Sequence, residues 1–166
     1  MFEKGITVYV HCVYLLVYIF NLRCSKGSYL KKKSDLVERL LPSTDSIRVS
    51  FDAACADTYH QVRINGQWDQ LIENVQWLRQ RIDKIAPKCN LEADFVVQLA
   101  NYKEIPMFVN LCDTLKIDHV NWQKMWNWGT WSQDEFDRNN IYNPDHDLYS
   151  DLVYQFQTAQ QPMSLT

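Results

Sequence analysis

Between Ile47 and Asp52 two kinds of side chain alternate: Ile47, Val49 and Phe51 are apolar, whereas Arg48, Ser50 and Asp52 are polar. This is the period-two signature of a strand. With the apolar set against a layer of helices, the polar set faces the other way, at or near the strand's carboxyl end, where open α/β folds hold their ligands. Ser50 and Asp52 are therefore the first candidates for a binding site. The competing reading makes Asp52 a cap for the next helix and lets Ser50 meet a neighbouring strand. A second alternating run, Leu91 to Ala100, sets Phe95, Val97 and Leu99 on one side and Val96 and Gln98 on the other, so Gln98 shares a face with Ser50. In a third, Ile117 to Gln123, Val120 and Trp122 alternate with His119, Asn121 and Gln123.

Metal chemistry finds little support. Asp145, His146 and Asp147 are consecutive, and consecutive residues at a helix start point in different directions; as acids near an amino terminus they suit the helix dipole instead. Cys12, Cys24, Cys55, Cys89 and Cys112 are widely scattered and have no metal or iron–sulfur spacing. An odd, unpaired set points to a reducing compartment, the cytoplasm, with thiols acting as small buried hydrophobes.

The elements that must position these residues read as follows. Ser34 caps a helix with Leu36, Val37, Leu40 and Leu41 on one face, and Pro42 ends it. After the strand at Ile47, the small residues Ala53 and Ala54 turn the chain into a brief helix, Asp57 to Arg63, and Asn65-Gly66 turns it again. A longer helix starts near Gln67, with Trp68, Leu71, Ile72, Val75, Leu78, Ile82 and Ile85 as its apolar stripe. The next helix, about Ile105 to Leu115, has Pro106 in its first turn. Strand, helix, strand, helix, strand with short connections is the pattern of a parallel sheet with right-handed crossovers, an α/β fold. Ser132 and Glu135 form a capping box, and a last helix runs from about Leu148 to Gln157.

Size and charge bound the rest. At 166 residues the chain is long enough for one domain and too short for a complete eight-stranded barrel of about 250. A formal charge of -3 and a pI near 5.8 argue against nucleic-acid binding, and Lys31 to Lys33 reads as a solvated helix start. Ile6 to Phe20 is apolar over fifteen positions. That is short of the roughly 20 needed to span a bilayer, and no cleavage site follows. One or two buried strands are expected there instead. Residues 1–159 then form a single incomplete α/β domain, with 1–27 an atypical apolar start, and 160–166 a frayed tail.

With the strands placed, SIRVSFDAACADTYHQVRINGQWDQLIENVQWLRQRI resembles the central strand and helix pair of radical S-adenosylmethionine (SAM) enzymes, in the branch with a SPASM or twitch extension. FVVQLANYKEIPMFV, DHVNWQKMWNWGTWSQDEF and NIYNPDHDLYSDLV resemble the downstream barrel repeats of that branch, in the same order. The resemblance covers about Leu30 to Tyr154. It implies the later strands and helices of a six-strand, TIM-like partial parallel (β/α) barrel. It also implies SAM and a [4Fe-4S] cluster as cofactors, and 5'-deoxyadenosyl radical chemistry in which the protein positions and shields. Carried over residue by residue, Ser50 and Asp52 meet the ribose or methionyl part of SAM, Arg63 pairs with a carboxylate, and Gln98 adds a contact from the next strand. Asn121, Gln123 and the aromatics from Trp126 to Trp131 fall toward the substrate end or build the wall.

Two parts of the family pattern are missing. The C-x-x-x-C-x-x-C loop that holds the cluster does not occur, nor does the Gly-Gly-Glu stretch after it; Ile19-Phe20-Asn21-Leu22 stands where relatives end a strand in Thr-Asn-Gly. The resemblance therefore implies the carboxyl-side portion of a radical SAM barrel that does not catalyse alone. The alternative is a non-catalytic binding or scaffolding module completing a separate chain that carries the missing strands and cluster loop.

Overall fold

The computed structural model describes residues 7–11, 14–15, 21–24, 33–129 and 131–160. The apolar stretch Ile6 to Phe20, expected to yield one or two strands, contributes two, β1 (Thr7–His11) and β2 (Tyr14–Leu15), and β3 (Asn21–Cys24) follows directly after it. They join β4 (Ser46–Ser50), β5 (Asn90–Val97) and β6 (His119–Lys124) in one sheet of order β2-β1-β3-β4-β5-β6. β2 is antiparallel to β1, and every other pairing is parallel. From β3 onward, each strand lies beside its predecessor in sequence. When successive crossovers of one hand always step the same way, their helices gather on one face of the sheet.

The core bears this out. Ile47, Val49, Phe51, Leu91, Ala93, Phe95 and Val97 share one buried cluster with residues from five helices. These are α1 (Ser34–Leu40), α2 (Ala56–Val62), α3 (Trp68–Ile85), α4 (Ile105–Leu115) and α6 (Tyr149–Gln160). Four rings knit the layers: Phe108 of α4 lies 5.5 Å from Phe51, 4.6 Å from Phe95 and 5.8 Å from Trp122, centroid to centroid. The α3 stripe is buried at Leu71, Val75, Leu78 and Ile82, while Ile85, expected in it, is exposed at the helix end.

Three boundaries differ from expectation for physical reasons. Ser34 lies inside α1 (Ser34–Leu40) rather than capping it, and its hydroxyl approaches its neighbour Asp35 at 3.5 Å. Pro42 does not end the run outright but sits in a 3-10 turn, Leu41–Ser43. β5 stops at Val97, leaving Leu99 exposed, because the chain turns at Gln98. The capping box at α5 (Gln133–Asn139) is present, Ser132 N–H donating to Glu135 Oε2 at 3.0 Å. Asn65-Gly66 turns the chain between α2 (Ala56–Val62) and α3. Glycine is required there because a Cβ on Gly66 would stand 2.5 Å from the Tyr59 ring. No helix among the described residues is long and apolar enough to cross a membrane. The tail beyond Gln160 lies outside the described residues.

Candidate functional site

The polar side chains of β4, β5 and β6 meet on the face the helices leave open. Register sets Arg48 beside Glu92 and Glu92 beside His119; one pleat on, Ser50 lies beside Asp94 and Asp94 beside Asn121; then Val96 lies beside Gln123. Partners in a parallel ladder point to the same side. Arg48 Nε donates to Glu92 Oε2 at 2.5 Å, and Asn121 Nδ2 donates to the same oxygen at 3.1 Å. Burial pushes the Glu92 carboxyl up, but the bonds from Asn121, Arg48 and Ser46 outweigh it and hold the group below the ordinary glutamate value. Glu92 is thus an anion fixed in place that orients Arg48 and Asn121. Ser50, half-buried, stands one pleat toward the carboxyl end.

At that end the chain closes on itself. Asp52 leaves β4 with φ 57°, a left-handed conformation that an aspartate tolerates. Its Oδ1 accepts from Val96 N–H at 2.7 Å, so the side chain stands in for a further residue of β4 along β5. Its Oδ2 is paired with Arg63 at the end of α2. Burial pushes the Asp52 carboxyl above its usual value, with Arg63 and the Val96 N–H pulling the other way. Asp52 and Arg63, both named from sequence, are therefore brought together, but to one another. Gln98 is separated from Ser50 by the turn that begins there, its N–H donating to Asn101 Oδ1 at 2.9 Å.

Two residues that sequence reading left without a role hold this edge. Asn101, 1% exposed, donates from Nδ2 to both Asp52 O and Val96 O at 2.9 Å, tying the loops after β4 and β5 together. Glu104 accepts from Ala54 N–H at 2.6 Å, Cys55 Sγ at 3.1 Å and the Thr58 hydroxyl. This caps α2, whose own N-cap residue Cys55 makes no side-chain cap. The expectation that Asp52 caps the next helix is corrected: a carboxylate from another loop does so.

The segment after β6 does not build a wall. Trp126 and Trp128 are 71% and 84% exposed. Asn127 fixes their backbone, accepting from Gly129 N–H at 2.9 Å and donating to Trp131 O at 3.2 Å. Gly129 takes φ 83° there. At the last helix, His146 serves the backbone: Nδ1 accepts from Leu148 N–H at 3.1 Å. A cleft of about 450 Å³ lined by His60, Trp68, Asp69 and Glu73 lies between α2 and the start of α3, apart from the polar sheet face.

The described residues do not fit an iron–sulfur cluster. Among them no three His, Cys, Asp or Glu side chains converge as a metal site. Burial pushes the Cys89 thiol up to about 11 and that of Cys112 to about 12, which keeps both protonated.

Fold and site together define the class: an α/β chain with parallel strands in sequential order, helices on one face and a polar network on the other. No family model matches the chain, and no curated protein matches it.

Proposed function

We propose that the chain is the carboxyl-side part of a radical SAM-type half-barrel that does no radical chemistry alone. The observation that carries the reading is the sheet itself, with parallel strands in chain order and Arg48, Ser50, Glu92 and Asn121 gathered on the helix-free face. That is the arrangement a barrel wall would present to its lumen. SAM, when bound together with a cluster, would supply the radical; this chain's contribution is to bind and orient. Ser50 is the residue assigned to the ribose or methionyl part, with Asn121 and Gln123 on its substrate side. Asp52 and Arg63 act from behind, fixing the strand end, and Gln98 lines the turn beyond it.

The cluster belongs to a second chain in this reading, one that carries the missing strands and the three-cysteine loop. The free thiols Cys55, Cys89 and Cys112 support a reducing location, the cytoplasm. Titration calorimetry of the chain with SAM is the test. Heat at millimolar ligand that falls in Ser50→Ala supports retained affinity, and no heat refutes it. Anaerobic reconstitution gives the complementary check: a stoichiometric cluster with SAM cleavage by this chain alone would overturn the proposed division of labour.

A further inference from the structure

β6 ends the sheet, and among the described residues no backbone hydrogen bond reaches its outer side. Every second residue of an edge strand directs its N–H and C=O outward, and such edges are normally blunted by proline, a bulge or a charge in mid-strand. His119–Lys124 has none of these, its one lysine being the last residue, and Val120 to Gln123 are only half-buried. From this edge we infer that β6 is an interface, and that its occupant is a second copy of this chain paired antiparallel about a two-fold axis.

The pattern of the strand selects that occupant. Residues opposite one another in an antiparallel pair point to the same face, so a two-fold axis must pass through a residue position and not between two. With the axis at Asn121, Val120 of one copy faces Trp122 of the other on the helix side. His119 then faces Gln123, and Asn121 faces itself, on the polar side. Extending the register by one residue brings Lys124 opposite Asp118, an opposite-charge pair; Asp118 already accepts from Leu91 N–H and Arg79 yet keeps 39% of its side chain exposed. Apolar meets apolar, amide meets amide, and no like charges oppose. Moving the axis to Trp122 loses this match, because Lys124 then faces Val120. The polar faces of the two copies become continuous across the axis, so each Asn121 borders the other copy's network. An isologous contact of this kind closes and does not propagate.

A strand edge alone buries less than the roughly 1,200 Å² of stable complexes, so the association is reversible and depends on concentration. Sedimentation equilibrium over about a hundredfold range of concentration should show monomer and dimer and nothing larger. Lys124→Glu, which sets like charges against Asp118, should raise the dissociation constant roughly threefold. Register is read by oxidation: Asn121→Cys brings two thiols face to face and crosslinks, while His119→Cys leaves them about 14 Å apart and crosslinks at roughly a tenth of that yield or less. A monomer at every concentration overturns the inference, as does equal crosslinking of the two cysteine variants. Should Asn121→Cys not fold, an unaltered dissociation constant in Lys124→Glu is the overturning result.

Discussion

Replacing Asn101 by alanine removes three hydrogen bonds at once from a residue that is 1% exposed. The Gln98 N–H loses its acceptor, and the carbonyls of Asp52 and Val96 lose their shared donor. A buried polar group left unsatisfied costs about 1–3 kcal/mol, and the three are not independent, so a total of roughly 3–5 kcal/mol is expected. Water can reach the part-buried Gln98 and Val96 groups more easily than the Asp52 carbonyl, which keeps the figure near the lower end. Urea unfolding followed by circular dichroism measures the loss, with the exposed Thr114→Ala, whose hydroxyl bonds only within its own helix, as reference. Native-state hydrogen exchange localises it: the Gln98 N–H should lose protection more than amides in α3. A destabilisation under about 1 kcal/mol would mean that the two loops are held by packing and that Asn101 is incidental.

The buried pair at the strand end behaves differently. Arg63→Met leaves the Asp52 carboxylate without its cation and should cost about 2–4 kcal/mol, whereas in an Asp52→Asn background, which keeps an acceptor for Val96 N–H, the same change should cost under about 1 kcal/mol; a double-mutant cycle by urea unfolding checks this. Glu92 titrates below its ordinary value in the folded state, so its contribution to stability is present above the unfolded value near 4.5 and is lost as pH falls through the depressed folded one; unfolding midpoints below pH 4.5 should fall less steeply with acid in Glu92→Gln than in the unaltered chain. Phe108→Ala empties the space between Phe51, Phe95 and Trp122 and should cost about 3–5 kcal/mol, read as a lower thermal midpoint, while Phe108→Leu should cost less than half as much.

How far the sequence could be read depended on whether a signal was local. The alternation at β4 and β5 is a backbone period, so it told which of their side chains face the helices and which face the polar side. Asp52 escaped because a positive φ at a non-glycine residue leaves no mark in a hydrophobicity pattern; its neighbours continued the alternation while the chain had already turned. Asn101 and Glu104 escaped for another reason. Each acts on a loop about fifty residues earlier, and a cap supplied from that distance has no spacing to detect. The capping box at Ser132 and Glu135 was legible because both its bonds stay within three residues. The four buried apolar positions of α3, Leu71, Val75, Leu78 and Ile82, repeat at helical spacing, whereas Ile85 follows the same spacing into solvent, since periodicity does not report where a helix outruns its partner.

The order of the strands has a consequence for synthesis. Because β3, β4, β5 and β6 are neighbours in space as they are in the chain, each segment emerging from the ribosome finds its template already made and waiting. Parallel pairing is ordinarily slow because distant segments must search for one another, but here growth can proceed by accretion from one side. The penalty falls on interruption: a chain halted before β6 leaves β5, a longer strand, as the exposed templating margin in place of β6.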